Sequence, residues 1–151
     1  DMTTTNSTEY GNNVAVPAVM NDVCDEHARV RIRSFTYTQV GAGASGDLIN
    51  LCKLPAGNLR IVGLAFANSA FGASRTIKVG HTGYTNLANG TVAANATAFL
   101  AATSVATAAT VHDHTTQKIT SKDGLTVQAL IEGGTIPDAA TLTGYVLYAL
   151  D

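Results

Sequence analysis

Polar and apolar side chains alternate along residues 28–40 (ARVRIRSFTYTQV). Val30, Ile32, Ser34, Thr36 and Thr38 take one face, and Arg29, Arg31, Arg33, Phe35, Tyr37 and Gln39 take the other. A period of two is that of a β-strand. Three arginines in line with two aromatic rings make a mixed face, and a bulge near Ser34 that swaps faces is expected to relieve it. Residues 47–83 then read as three strands divided by two tight turns, Pro55-Ala56-Gly57-Asn58 and Phe71-Gly72-Ala73-Ser74. Pro55 presets its φ, Gly57 tolerates a positive φ, and Asn58 can bond its own backbone. The short turn between residues 47–54 and 58–67 predicts an antiparallel hairpin. In residues 58–67, Leu59, Ile61, Gly63 and Ala65 face one way while Val62, Leu64 and Phe66 face the other. Apolar residues on both faces predict a strand buried between two layers, or one with a face committed to a partner.

Further along, residues 94–109 are rich in alanine, the strongest helix former, and predict a short helix of one or two turns despite Thr97, Thr103 and Ser104. Strands resume at about residues 110–113, 116–120, 125–131 and 141–150. Lys122-Asp123-Gly124 signals a hairpin, and Gly133-Gly134 through Pro137-Asp138 signals a longer turn. The pattern predicts an all-β chain: an antiparallel β-sandwich or jelly-roll-like barrel with an extended N-terminal arm and at most one short helix. Residues 29–151 form the sandwich domain in this division.

Residues 1–28 carry no strand or helix period. Their apolar positions, Tyr10, Val14, Val16, Val19 and Met20, are scattered, and Pro17 interrupts them. Terminal position and polarity fit a disordered tail, whereas scattered single apolar residues fit an arm that orders against another subunit.

Composition narrows the function. Only 13% of the 151 residues are charged and the net charge is −2. That balance excludes the basic footprint of a nucleic-acid binder. The most apolar run, residues 59–67, contains Arg60 and falls far short of the ~20 residues that span a bilayer, so no membrane partner is expected. Neither a basic n-region nor an apolar h-region opens the chain, and synthesis in a cytoplasm is the expectation. Asn6, Asn89 and Asn95 head N-x-[ST] sequons that a threonine-rich chain generates by chance. Cys24 and Cys52, outside any CxxC, read as free buried thiols.

Candidate chemistry is sparse. His112 and His114 in Val111-His112-Asp113-His114 would project to one side of a strand, with His81 or His27 as a conceivable third metal ligand, but no third ligand stands at a defined spacing and the cluster reads as a polar strand end. The loop Gly41-Ala42-Gly43-Ala44-Ser45-Gly46 lacks the lysine of a phosphate loop. No GxSxG elbow occurs, and Asp22, Asp25 and Glu26 lie where nothing would hold them in a cleft. Tyr145 and Tyr148 fall on opposite faces of the last strand, which suits packing better than a sugar platform. No catalytic residue, cofactor or metal ligand is assigned, and the chain is not expected to be an enzyme.

The succession GDLINLCKLPAGNLRIVGLAFANSAFGASRTIKVGHTGY, then TAFLAATS, then a terminal TLTGYVLYALD, resembles the decoration or cement proteins of tailed-bacteriophage heads. The similarity rests on Leu54-Pro55-Ala56-Gly57, Ile61-Val62, the Gly72-Ala73-Ser74 turn, Val79-Gly80 and Phe99-Leu100-Ala101-Ala102. The resemblance implies a β-sandwich or jelly-roll subunit that forms a homotrimer on the virion exterior, bound to the major capsid protein, with its N-terminal segment reaching onto capsid subunits or neighbouring trimers. The interface residues that go with it are Tyr10, Val14, Val16, Val19 and Met20 in the arm and the ladder Arg29, Arg31 and Arg33, which reads otherwise as a solvated strand face. A tail-tube or fibre subunit and a carbohydrate-binding module are the alternative readings.

Overall fold

The structure is a computed structural model that describes residues 29–113 and 117–150, together with Pro17. In chain order its strands are β1 (Val30–Thr38), β2 (Leu48–Leu54), β3 (Gly57–Asn68), β4 (Thr76–His81), β5 (Tyr84–Thr85), β6 (Thr91–Val92), β7 (Asn95–Ser104), β8 (Ala109–Asp113), β9 (Gln117–Ser121), β10 (Leu125–Glu132) and β11 (Thr141–Leu150). They make a five-stranded sheet, in the order β1-β11-β3-β8 with β9 also on β3, and a four-stranded sheet in the order β2-β10-β4-β7. A two-stranded ribbon of β5 and β6 extends from the β4–β7 pair. Every pairing is antiparallel. Strands β1 to β4 alternate between the two sheets, which is the winding of a jelly roll.

The alternation of side chains explains why the sheets stack. In β10, Leu125, Val127, Ala129 and Ile131 are buried while Thr126, Gln128, Leu130 and Glu132 are partly open. Opposite them, β3 contributes Leu59, Ile61, Leu64 and Phe66 to the same core, joined by Ile77 and Val79 of β4. At the middle of the five-stranded sheet, Phe35 of β1 and Phe66 of β3 flank Gly144 of β11 in the register. A Cβ at Gly144 would stand 2.1 Å from the Ala65 carbonyl oxygen, so only glycine lets β11 lie this close to β3. At one end the loops after β1 and β10 are joined by paired backbone hydrogen bonds between Gly43 and Ile136 (2.8 and 3.0 Å).

Four local expectations are corrected. Residues 47–54 and 58–67 do not form a hairpin: β2 pairs with β10 and β3 with β11, so the Pro55–Gly57 turn carries the chain from one sheet to the other. The Lys122-Asp123-Gly124 turn does likewise between β9 and β10. In both cases the residues flanking the turn, Leu54 with Leu59 and Ile119 with Leu125, are buried in the core between the sheets, which a flat hairpin would not allow. The alanine-rich stretch is the edge strand β7, because Phe99 and Leu100 are buried and the backbone pairs with β4. Such pairing outweighs propensity differences of ~1 kcal/mol or less per residue. Finally, β1 is unbroken from Val30↔Ala149 to Thr38↔Thr141, with no bulge near Ser34. The irregularity falls in β3 instead, where Val62 is the extra residue between Ile61↔Tyr148 and Gly63↔Leu147.

Candidate functional site

The two outer faces of the sandwich differ in chemistry. On the four-stranded sheet Lys78 Nζ and Glu132 Oε2 form an ion pair at 2.6 Å, and Gln128 Nε2 donates to Asn50 Oδ1 at 2.8 Å. Lys53 stands beside Thr126 on the same side. These polar partners suit a hydrated face, interrupted at one end by Leu48, 58% exposed, opposite Leu130.

The five-stranded sheet turns a different set outward. Because β1 is regular, Val30, Ile32, Ser34 and Thr36 point away from the core, in register with Ala149, Leu147, Tyr145 and Thr143 of β11. The next strand continues the rows with Gly63, Ala65 and Ala67, and β8 adds His112 and Thr110. Val30 and Ile32 remain 61% and 58% exposed. Small residues on β3 between larger neighbours create relief: Gly63 lies beside Leu147, and Ala65 lies between Tyr145 and His112. The result is two shallow depressions on either side of Tyr145, one lined by Val62, Gly63 and Leu147 and the other by Ser34, Ala67 and Thr143. Apart from His112 and Tyr145, the ionisable residues of this face among those described are Asp113, which lines the depression beside Gly63, and Arg60 and Lys118, directly opposite one another at the end where Val30 lies.

The arginine ladder has another location. Without a bulge, Arg31 and Arg33 stay in line with Phe35 on the inward side of β1. Both are exposed, as is Arg29, along the side of the sandwich where β1 and β2, the edge strands of their sheets, adjoin. Long stems let the charged heads reach water there. Arg33 is close enough to act on Cys52 of β2, a free thiol whose pKa is pushed up to about 11 by burial, with the arginine's charge working against the rise.

The histidines do not converge. His112 is on the outer face of the five-stranded sheet, whereas His81 of β4 is buried on the other sheet, against Tyr84 and Phe99 at ring-centroid distances of 5.3 and 5.9 Å. Its Nδ1 is 2.8 Å from the Thr82 carbonyl oxygen. Among the described residues no three His, Cys, Asp or Glu side chains are grouped as metal ligands, and no helix is long and apolar enough to cross a membrane. Tyr10, Val14, Val16, Val19 and Met20, like Cys24, His27 and His114, lie outside the described residues. Sequence reasoning missed the joint face of β1, β3 and β11. Its signal was the apolar character of Tyr145, Leu147 and Ala149 at alternate positions, opposite an equally uncharged Val30, Ile32, Ser34 and Thr36.

No protein-family model matches the chain, and no curated protein matches it in sequence. Solved structures do match in fold. A chain of the cyanophage Pam1 capsid asymmetric unit superposes with a TM-score of 0.61 at 17% identity, covering 99% of this chain and 100% of that one. A chain of the capsid of Ralstonia phage GP4 gives a TM-score of 0.64 at 21% identity, covering 95% of this chain and 96% of that one. A mutant VP2 protein of infectious bursal disease virus, in derived T=1 particles, gives 0.53 at 15% identity, with 81% of this chain covering 32% of that one. At these identities the likeness establishes a shared jelly-roll fold.

Proposed function

We propose that this chain is a structural virion protein that decorates the outside of an icosahedral phage head as a homotrimer and stabilises it by binding the major capsid protein. The observation that carries this reading is the end-to-end correspondence with the chains of two phage capsids, 99% on 100% and 95% on 96%. In VP2, by contrast, the matched fold is a third of a longer chain. A jelly roll that makes up an entire small chain within a capsid suits an accessory subunit better than a shell-forming one. The apolar stretch on the outer face of the five-stranded sheet supplies area for such contacts, and the N-terminal segment, residues 1–28, supplies further reach. The reading requires no catalytic residue. Each copy need bury only a standard interface of ~800 Å² per partner, because many copies on one shell act together.

The test is to mix the purified protein with expanded heads that lack it and to locate it by electron cryomicroscopy. Saturable density on the outer surface, together with a trimer by analytical ultracentrifugation, is the expected result. Protein that stays in the supernatant at all head concentrations, or that attaches to tails alone, overturns the reading.

A further inference from the structure

The edges of the two sheets are not alike. In the four-stranded sheet, β2 carries an extra residue, Leu51, between Val127↔Cys52 and Gln128↔Asn50, and β7 is bulged twice against β4. The far edge of the five-stranded sheet is divided between the short strands β8 and β9. Interruptions of this kind blunt an edge against further strands. No such interruption occurs in β1, which pairs with β11 through nine consecutive residues. Although β2 adjoins it on this side of the sandwich, the first five residues, Val30–Ser34, are exposed whichever face they take, and Phe35 is the first to be buried. Three of the chain's nine Lys and Arg residues, Arg29, Arg31 and Arg33, stand here at alternate positions. Their neighbours on β11 bring no carboxylate: Tyr148 lies opposite Arg31 and Val146 opposite Arg33. Among the described residues the acids are placed elsewhere. Glu132 is held by Lys78, Asp47 and Asp138 accept from the N–H groups of Ala44 and Gly41, Asp113 lines the depression beside Gly63, and Asp123 lies in the turn before β10.

From these observations we propose that β1 is a docking edge for an extended segment of a partner protein that carries carboxylates at alternate positions. Such a segment joins the sheet as one more strand. Its backbone takes up the N–H and C=O groups of β1 that face away from β11, and its side chains alternate in step with those of β1. On one side, Asp or Glu residues about 6.6 Å apart meet Arg29, Arg31 and Arg33, which stand at the same spacing, and each guanidinium presents two N–H donors to a carboxylate. On the other side, apolar or β-branched residues between them cover Val30 and Ile32, which are 61% and 58% exposed in the subunit alone. A second β1 does not meet these terms. Laid along the first in either direction, it sets arginine against arginine or, moved by one residue, against Val30 and Ile32. The arginines thus close the edge to self-pairing, the ordinary use of charge on an edge strand, and leave it open to an acidic one. The source of that strand, a subunit of the shell, rests on the proposed function; its chemistry rests on β1 alone.

A synthetic peptide tests this without any head particle. The probe is a capped peptide as long as β1, nine residues, in which Glu alternates with Val and Thr, and it is added to the isotope-labelled full chain. The expected result is saturable amide shifts and slowed amide exchange within Val30–Ser34, shifts of the Arg31 and Arg33 Nε–H signals, and no change at Lys78 and Gln128 on the opposite sheet. The double change Arg31→Glu and Arg33→Glu should weaken binding roughly tenfold and transfer the preference to a peptide with Lys in place of Glu. If the amide spectrum shows that this variant does not fold, Arg31→Gln with Arg33→Gln gives the same loss of binding to read. Three results overturn the inference: no change at β1 with millimolar peptide, binding that the arginine variants leave unaltered, and equal binding of a peptide whose glutamates are grouped in one block, which would reduce the edge to a patch of positive charge. Decoration of heads by a protein that ignores the peptide would remove this inference alone. Peptide binding by a protein that leaves heads bare would remove the decoration reading alone.

Discussion

Cys52 shows how much one side chain depends on both sheets. It sits on an edge strand, half-covered by core residues, and burial raises its pKa from 9.0 to about 11 against the pull of Arg33. Because the fold favours the neutral thiol, its contribution to stability is complete below pH 9 and is lost as pH rises towards 11. Denaturation followed across that window should show a fall in stability that Cys52→Ala makes smaller. Alkylation by iodoacetamide at pH 8 should be much slower in the native protein than in the unfolded one, since the thiolate is the reacting form. The strand assignment of Cys52 was legible in the sequence, but its neighbour was not. Nothing in the local pattern pairs residue 33 with residue 52, because that contact exists only once two edge strands from different sheets stand face to face.

At the scale of the element, the strands were largely readable and their pairing was not. Residues 58–67 announced a strand with apolar residues on both faces, between two layers or with one face committed to a partner; β3 is central in its sheet and buries Leu59, Ile61, Leu64 and Phe66 in the core, while Gly63, Ala65 and Ala67 lie on the outer face. Turn chemistry at Pro55–Gly57 and at Asp123-Gly124 correctly marked reversals. It did not say whether the chain returns in the same sheet, because that is decided by where Leu54, Leu59, Ile119 and Leu125 are buried. The alanine-rich β7 failed for a related reason: local propensity favoured helix, and the partner strand that overrode it lies further back in the chain, paired from His81↔Asn95 to Thr76↔Ser104. The alternation of β10 gives a direct check. Ile131→Ala, at a fully buried position, should cost ~2–5 kcal/mol, whereas Gln128→Ala on its outer face should stay within about 0.5–1 kcal/mol. Urea denaturation of the two variants against the parent separates them; equal losses would mean that the two faces of β10 are not inside and outside as described.

The two outer faces of the sandwich differ, one carrying the Lys78–Glu132 ion pair and the other an apolar stretch that ends at Arg60 and Lys118, and this asymmetry bears on attachment. Removing residues 1–25 should leave the jelly roll folded, since the described core draws on no residue before Phe35. It should also weaken occupancy on purified heads. Unchanged occupancy of the truncated protein would remove the N-terminal segment from the interface and leave the sheet face as the contact. The architecture also governs timing. The apolar stretch is assembled from β1, near the start of the described chain, and from β11, its last strand, which is inserted between β1 and β3. Tyr145 and Leu147 come from that late strand. A growing polypeptide therefore lacks the complete face until residue 150 has been made, and folding must then close loops of over a hundred residues, a route that belongs to the millisecond-to-second class. The face that holds Tyr145 and Leu147 therefore does not exist until β11 has been inserted between β1 and β3.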